Sequence, residues 1–192
     1  MILKGNEDLR VQRTIRSIKA TFLKMITETS YAKITVRELS DEAGINKKTF
    51  YYYYSSLDHL LQEMQDELLD EYIERLGPAL RGDLAKCIEI FFLFFQEKGR
   101  PYVRLISHDQ SGLLYRKFLV LDEKYGRDTK RRWDSLSDYS RRCIIAYLNM
   151  SILQSMVLWF DQGQPIPIEE AIELAQKLTL TGIYGLVNAK GK

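Results

Sequence analysis

Residues 34–61 read ITVRELSDEAGINKKTFYYYYSSLDHLL, and four consecutive tyrosines, Tyr51 to Tyr54, stand close behind two lysines. A strand sends alternate side chains to opposite faces. A helix turns by about 100° per residue, so four neighbours cover most of its circumference. Either way the rings cannot share one core, and at least two must point at something other than the protein's own interior. Local signals place the stretch on short helices. Thr35 and Glu38 have capping-box spacing, in which hydroxyl and carboxylate satisfy backbone N–H groups reciprocally. Gly44 suits the left-handed conformation that ends a helix, and Asn46 can cap the next. On that second helix Phe50 and Tyr54 lie four apart and share the side facing Leu39, Ala43 and the first long helix. Lys47, Lys48, Tyr51 and Tyr52 fall on the opposite side, with Tyr53 on the flank.

Two short helices meeting at AGIN and followed by basic residues form a helix-turn-helix pattern, whose second helix offers its early residues to the DNA major groove. A phenol brings a stacking plane and a hydroxyl that can donate to phosphate, so tyrosines interleaved with lysines suit a groove. Outward from this motif the period is helical almost everywhere. Ile15, Ile18, Phe22, Met25 and Ile26 form one stripe within residues 8–29. Ser56 can cap a helix from Leu57 to Leu76, stopped by Gly77-Pro78. Further helices are expected at about 83–98, 102–108, 111–132, 138–161 and 168–187. The reading is an all-α chain of about nine helices, with an N-terminal helix-turn-helix DNA-binding domain at 1–57. A helical regulatory and dimerisation domain is expected at 58–192.

The stretch from about Ile15 to Leu61 resembles the DNA-binding segment of TetR-family transcriptional regulators. Their signature is T-V-x-x-[IL]-A-x-x-A-G-[VI]-x-x-x-[TS]-[FL]-Y-x-[YH]-F after an amphipathic helix. Thr35, Val36, Leu39, Ala43, Gly44, Ile45, Thr49, Phe50, Tyr51 and Tyr53 stand where that pattern wants them. The resemblance implies that Thr35 and its helix start meet phosphate and that Arg37 reaches phosphate or a base edge. It implies that Lys47, Lys48 and Tyr52 read sequence, and that Thr49, Tyr51 and Tyr53 grip phosphate. One departure is Leu57, where many members carry a phosphate-touching lysine. Later, W-x-x-x-G-x-P at Trp159, Gly163 and Pro165 is similar to one branch of the family. The implied function is a homodimeric repressor of operator DNA, relieved by a small apolar effector or by a partner protein in the effector's place. An activator is chemically equivalent.

Charge supports a polyanion at one end only. Residues 1–57 hold 10 Lys/Arg against 6 Asp/Glu, while 58–192 hold 18 against 20. The helices at 138–161 and 168–187 carry apolar residues on more than one face, as inward packing plus dimerisation requires, and Ser151 and Ser155 would let a partner helix come close. For an apolar effector the candidates are Phe91, Phe95, Tyr102, Leu114 and Phe118, with Arg104, His108 or Gln154 as polar handle. Cys87 and Cys143 read as core thiols of a reducing compartment. MILKGNEDLR lacks the apolar stretch of a signal peptide, and the richest apolar run, IEIFFLFF at 88–95, is far short of the ~20 residues of a membrane span. A cytoplasmic protein with no membrane partner is expected. No phosphate loop, zinc spacing or nucleotide fingerprint is present, and adjacent Ser107-His108-Asp109 cannot form a relay, so neither an enzyme, a cofactor nor a metal is expected. The acidic residues of 62–76 (Glu63, Asp66, Glu67, Asp70, Glu71 and Glu74) read as a solvated face. The rival reading is a helix-turn-helix-shaped coactivator or protein-interaction module that does not bind DNA.

Overall fold

The computed structural model describes residues 9–77, 79, 83–108, 112, 114–120 and 136–189, with 183–189 by backbone alone. Among these, every regular element is helical, as expected. They are α1 Leu9–Glu28, a 3-10 turn at Tyr31–Lys33, α2 Val36–Glu42, α3 Lys47–Tyr53, α4 Leu57–Leu76, α5 Leu84–Lys98, α6 Arg100–Ser107, α7 over 114–120, α8 Asp138–Asp161 and α9 Ile168–Ala189. Most of the helix expected at 111–132 lies outside the described residues. α6 begins earlier than expected. Gly99, at φ +82°, ends α5 by itself, and Pro101 sits in the first turn of α6, where its missing N–H is one that no helix could pair.

Contacts divide the chain into two compact units. One comprises residues 1–68 with 100–108, and the other 69–99 with 109–192. The first therefore takes in the opening turns of α4 and all of α6, beyond the 1–57 segment that carries the motif. Its core is built on the α1 stripe read from the sequence, with Ile15, Ile18, Phe22, Met25 and Ile26 all buried. α6 packs on α1 through Val103, Leu105 and Ile106, which are also buried. The Gln65 side chain on α4 donates to the Leu105 carbonyl at 2.9 Å, satisfying a polar group in the interior.

In the second unit α9 packs on α5 and α8. Tyr72 of α4 is buried, with Phe91, Phe94, Phe95 and Phe118 around it at centroid distances of 5.5–6.3 Å. After α8 the chain reverses through Gly163 and Gln164, both at positive φ, and the Trp159 indole N–H donates to the Ile166 carbonyl at 2.9 Å. The cysteine expectation holds for one residue of two. Cys87 is half-buried, its Sγ 3.4 Å from the Ala79 carbonyl, and burial pushes its thiol up to about 11. Cys143 is exposed, because it lies one turn from Tyr139 and Tyr147 on the outward side of α8.

Ser40 on α2 is fully buried, and its hydroxyl has no hydrogen-bond partner among the described residues. A buried, unpaired hydroxyl costs roughly 1–3 kcal/mol. Ser40→Ala is expected to stabilise the chain by about 1 kcal/mol in thermal or urea unfolding, and a destabilisation of that size would contradict the unpaired state.

Candidate nucleic-acid interface

α2 and α3 are seven residues each, and both owe their position to caps and to a few buried rings. At the start of α2 the Thr35 hydroxyl accepts from the Glu38 N–H at 3.2 Å, and the Thr35 N–H donates to Glu38 Oε2 at 3.1 Å. That is the capping box the sequence announced. Gly44 takes φ +68° in the turn, and the Ile45 N–H donates to the Ser40 carbonyl. The Asn46 side chain then caps α3, accepting from the Lys48 N–H at 2.9 Å. Ser17 of α1 holds the same turn by donating to the Ala43 carbonyl at 3.1 Å.

Within α3 the rings divide as their spacing required. Phe50 and the capping residue Tyr54 are 0% exposed and their rings lie 5.7 Å apart, while Tyr51 is 56% and Tyr52 81% exposed. Tyr53 is half-buried with its ring edge-on to Tyr52 at 5.0 Å. One of the four tyrosines is thus fully interior, one sits on the margin and two face outward. Lys47 and Lys48 are exposed, and among the described residues neither has an ion-pair partner. The cap is a neutral Asn and the first turn holds no carboxylate, so this end of α3 is purely basic. Thr49 is half-buried between the two faces. Two helical turns, about 10 Å long, match a major groove about 12 Å wide.

Thr35 and Arg37 are exposed on α2, but both already interact. The Thr35 hydroxyl donates to Glu38 Oε2 at 2.7 Å, and Arg37 stands 3.8 Å from Asp41. Glu38 therefore brings a carboxylate to the place where the sequence reading puts a phosphate. Lys24 of α1 is engaged by Glu42 at 2.7 Å, a hydrogen bond that raises its pKa, and so adds little free positive charge. Leu57 is half-buried at the start of α4, where Ser56 accepts from the His59 N–H at 3.1 Å.

The solvated reading of the acidic residues on α4 fails at Glu63. That residue is buried, accepts from the Tyr54 hydroxyl at 3.2 Å and stands 3.2 Å from Lys19 Nζ. The acidic spacing gave no warning, because its partners come from α1 and from the end of α3. Glu67, Asp70 and Glu71 are exposed but ion-paired, with Lys19, Lys117 and Lys98 respectively. The proposed effector residues are divided between the two units. Phe91, Phe95 and Phe118 meet on Tyr72, and Leu114 is buried in the same unit. Gln154 is exposed on α8, while Tyr102, Arg104 and His108 belong to the first unit with α6. Burial, with the nearby Arg104 charge adding to it, holds the His108 imidazole below its ordinary pKa. Tyr72 was missed in the sequence, although it is the one aromatic residue on α4 and has the helical spacing of a core position.

The family described as bacterial regulatory proteins, tetR family, matches residues 20–64. An uncharacterized HTH-type transcriptional regulator of Haemophilus influenzae is 33% identical over 144 residues, covering 71% of this chain and 68% of that protein. The chain belongs to the TetR family. It is a DNA-binding transcriptional regulator and not an enzyme. The EthR regulator of Mycolicibacterium smegmatis is 30% identical over 86 residues, 41% of this chain and 40% of that one. In fold, a TetR transcriptional regulator from Streptococcus agalactiae superposes with a TM-score of 0.58 at 22% identity, over 88% of this chain and 95% of that one.

Glu38→Gln keeps an oxygen for the Thr35 N–H and removes one negative charge from the face of α2. It is expected to raise affinity for duplex DNA of any sequence by about threefold at low salt, with the gain fading as salt rises. Titration of both proteins against one labelled duplex measures it, and an unchanged or weakened affinity would place Glu38 away from the phosphates.

Proposed function

We propose that this protein is a cytoplasmic homodimeric repressor that holds operator DNA through Thr35, Arg37, Lys47, Lys48, Thr49, Tyr51, Tyr52 and Tyr53, and that a small apolar effector releases it. The observation that carries the DNA reading is the division of α3, where two lysines without an ion-pair partner among the described residues and two exposed rings stand over a buried aromatic anchor. Lys47, Lys48 and Tyr52 face base edges, where an ammonium can donate to guanine O6 or N7. Thr35, Thr49, Tyr51 and Tyr53 supply hydroxyls, and Arg37 a guanidinium, to the phosphates on either side.

Dimerisation is read from α8 and α9. Residues 143–160 run 18 positions without a charge, and by length and composition α8 is, among the described helices, the one apolar enough to cross a membrane, with 22% of that stretch buried. Tyr147, Met150 and Leu158 on α8 and Leu174 and Leu178 on α9 are each more than half exposed. In a DNA-binding helical protein such a face calls for partner helices, and a second copy supplies them while placing two reading heads on two half-sites. Ser151 and Ser155 turn their hydroxyls back onto the carbonyls of Tyr147 and Ser151, so each presents a small surface to a neighbour. The effector is assigned to the aromatic surroundings of Tyr72. Its effect on DNA binding would pass along α4, which has residues in both units.

Gel retardation of duplexes from the upstream region of the protein's own gene tests DNA binding. Lys48→Ala combined with Tyr51→Phe should weaken binding to every duplex and reduce the slope of log affinity against log salt by about one. An unchanged slope and affinity would overturn the assignment, and no retardation by the wild-type chain would favour the rival interaction module. Sedimentation at micromolar concentration should give a dimer, and Leu158→Asp with Leu178→Asp a folded monomer. A monomeric wild-type protein would contradict the dimer reading.

A further inference from the structure

A helix of two turns cannot fix its own tilt, so something outside α3 must set the angle at which its lysines and tyrosines are offered. The buried rings supply bulk, but ring packing alone tolerates sliding. The Tyr54 hydroxyl supplies a direction. Tyr54 caps α3 in an extended conformation, where the chain turns toward α4. Its hydroxyl donates to Glu63 Oε1 on α4, and the same oxygen stands 3.2 Å from Lys19 Nζ of α1, which also binds both carboxylate oxygens of Glu67 at 2.6 and 2.7 Å. Glu63 is 9% exposed and Lys19 is 17% exposed, so the group is largely withdrawn from water and sensitive to geometry. Three elements, α1, α4 and the end of α3, thus converge on one carboxylate.

We propose that Tyr54, Glu63 and Lys19 form a positioning network for DNA reading, which holds α3 at the angle that sequence discrimination needs while leaving general attraction to DNA to the exposed cations. None of the three belongs to the contact face, and none is needed to attract a phosphate backbone. A misset α3 keeps Lys47 and Lys48 and therefore keeps its non-specific, salt-dependent binding. It loses the alignment of side chains with base edges, which tolerates little displacement. The inference rests on the DNA-binding reading given above.

The test uses the full chain and the duplex that the wild-type protein selects from a random pool, with a scrambled duplex as control. Tyr54→Phe retains the ring and removes only the hydroxyl. Glu63→Gln retains an acceptor for the phenol and removes the charge opposite Lys19. Tyr54→Phe, which loses the buried hydrogen bond, and Glu63→Gln, which loses the charge that holds Lys19, are each expected to lower affinity for the selected duplex roughly five- to tenfold, while affinity for the scrambled duplex and its salt slope stay unchanged. Circular dichroism melting should keep its midpoint within a few degrees for Tyr54→Phe. Equal losses on both duplexes, or wild-type affinity of both variants for the selected duplex, would overturn the network. A wild-type chain that selects no duplex would remove the DNA-binding reading itself, and the inference with it.

Discussion

Two turns of helix are not stable in water. Closing the first turn fixes several dihedral angles for a single hydrogen bond, and seven residues are too few to recover that cost by propagation. α3 exists because Phe50 and Tyr54 are driven into the interior, where both are 0% exposed, with α3 packed on α2 and the Tyr54 hydroxyl reaching Glu63 of α4. Burying two large aromatic side chains contributes roughly 4–5 kcal/mol before ordering costs, on the scale of the whole helix's stability. This constraint determines the outer face as well. With positions 50 and 54 committed inward, helical geometry leaves 48, 51 and 52 outside, where Lys, Tyr and Tyr stand, and Lys47 is exposed as the first residue of the helix. The regulatory surface is the complement of the anchor.

What was legible in the sequence was local. The capping box at Thr35, the left-handed Gly44, the Asn46 cap and the α1 stripe each depend on residues within a turn or two, and all four are present in the structure. The limits of α8 could also be read from sequence, since Ser137 opens it and the Gly163-Gln164 reversal follows it. What was not legible depended on distant partners. Glu63 looks like its acidic neighbours until Lys19, from a helix more than forty positions earlier, is placed against it. α6 joins the first unit because Leu105 and its neighbours find α1, which the intervening sequence does not signal. Cys143 was placed in the core on the apolar character of its surroundings, but an apolar surrounding also describes an uncovered face.

That uncovered face and the basic face of α3 are different kinds of surface. One is a charge-free run of aromatic, aliphatic and small residues on long helices, which only another apolar surface can cover. The other is a small cationic and phenolic patch on a short helix, suited to a partner that is anionic and wet. A TetR-family regulator needs both chemistries, and here they lie on separate compact units. The aromatic group around Tyr72 belongs to the unit that carries the apolar face. Burial keeps the Tyr72 phenol well above its usual pKa, so it stays neutral and adds no charge to those surroundings.

The tyrosine run is divided, with Tyr54 inside and Tyr51 and Tyr52 exposed on the face proposed to meet DNA. Nitration of the tyrosines, followed by mass spectrometric mapping in the presence and absence of the selected duplex, distinguishes the inner ring from the outer pair. Tyr51 and Tyr52 are expected to be nitrated in the free protein and protected by the duplex, with Tyr54 unmodified in both states. Nitration of Tyr54 as fast as Tyr52, or an outer pair that the duplex leaves fully reactive, would contradict that arrangement.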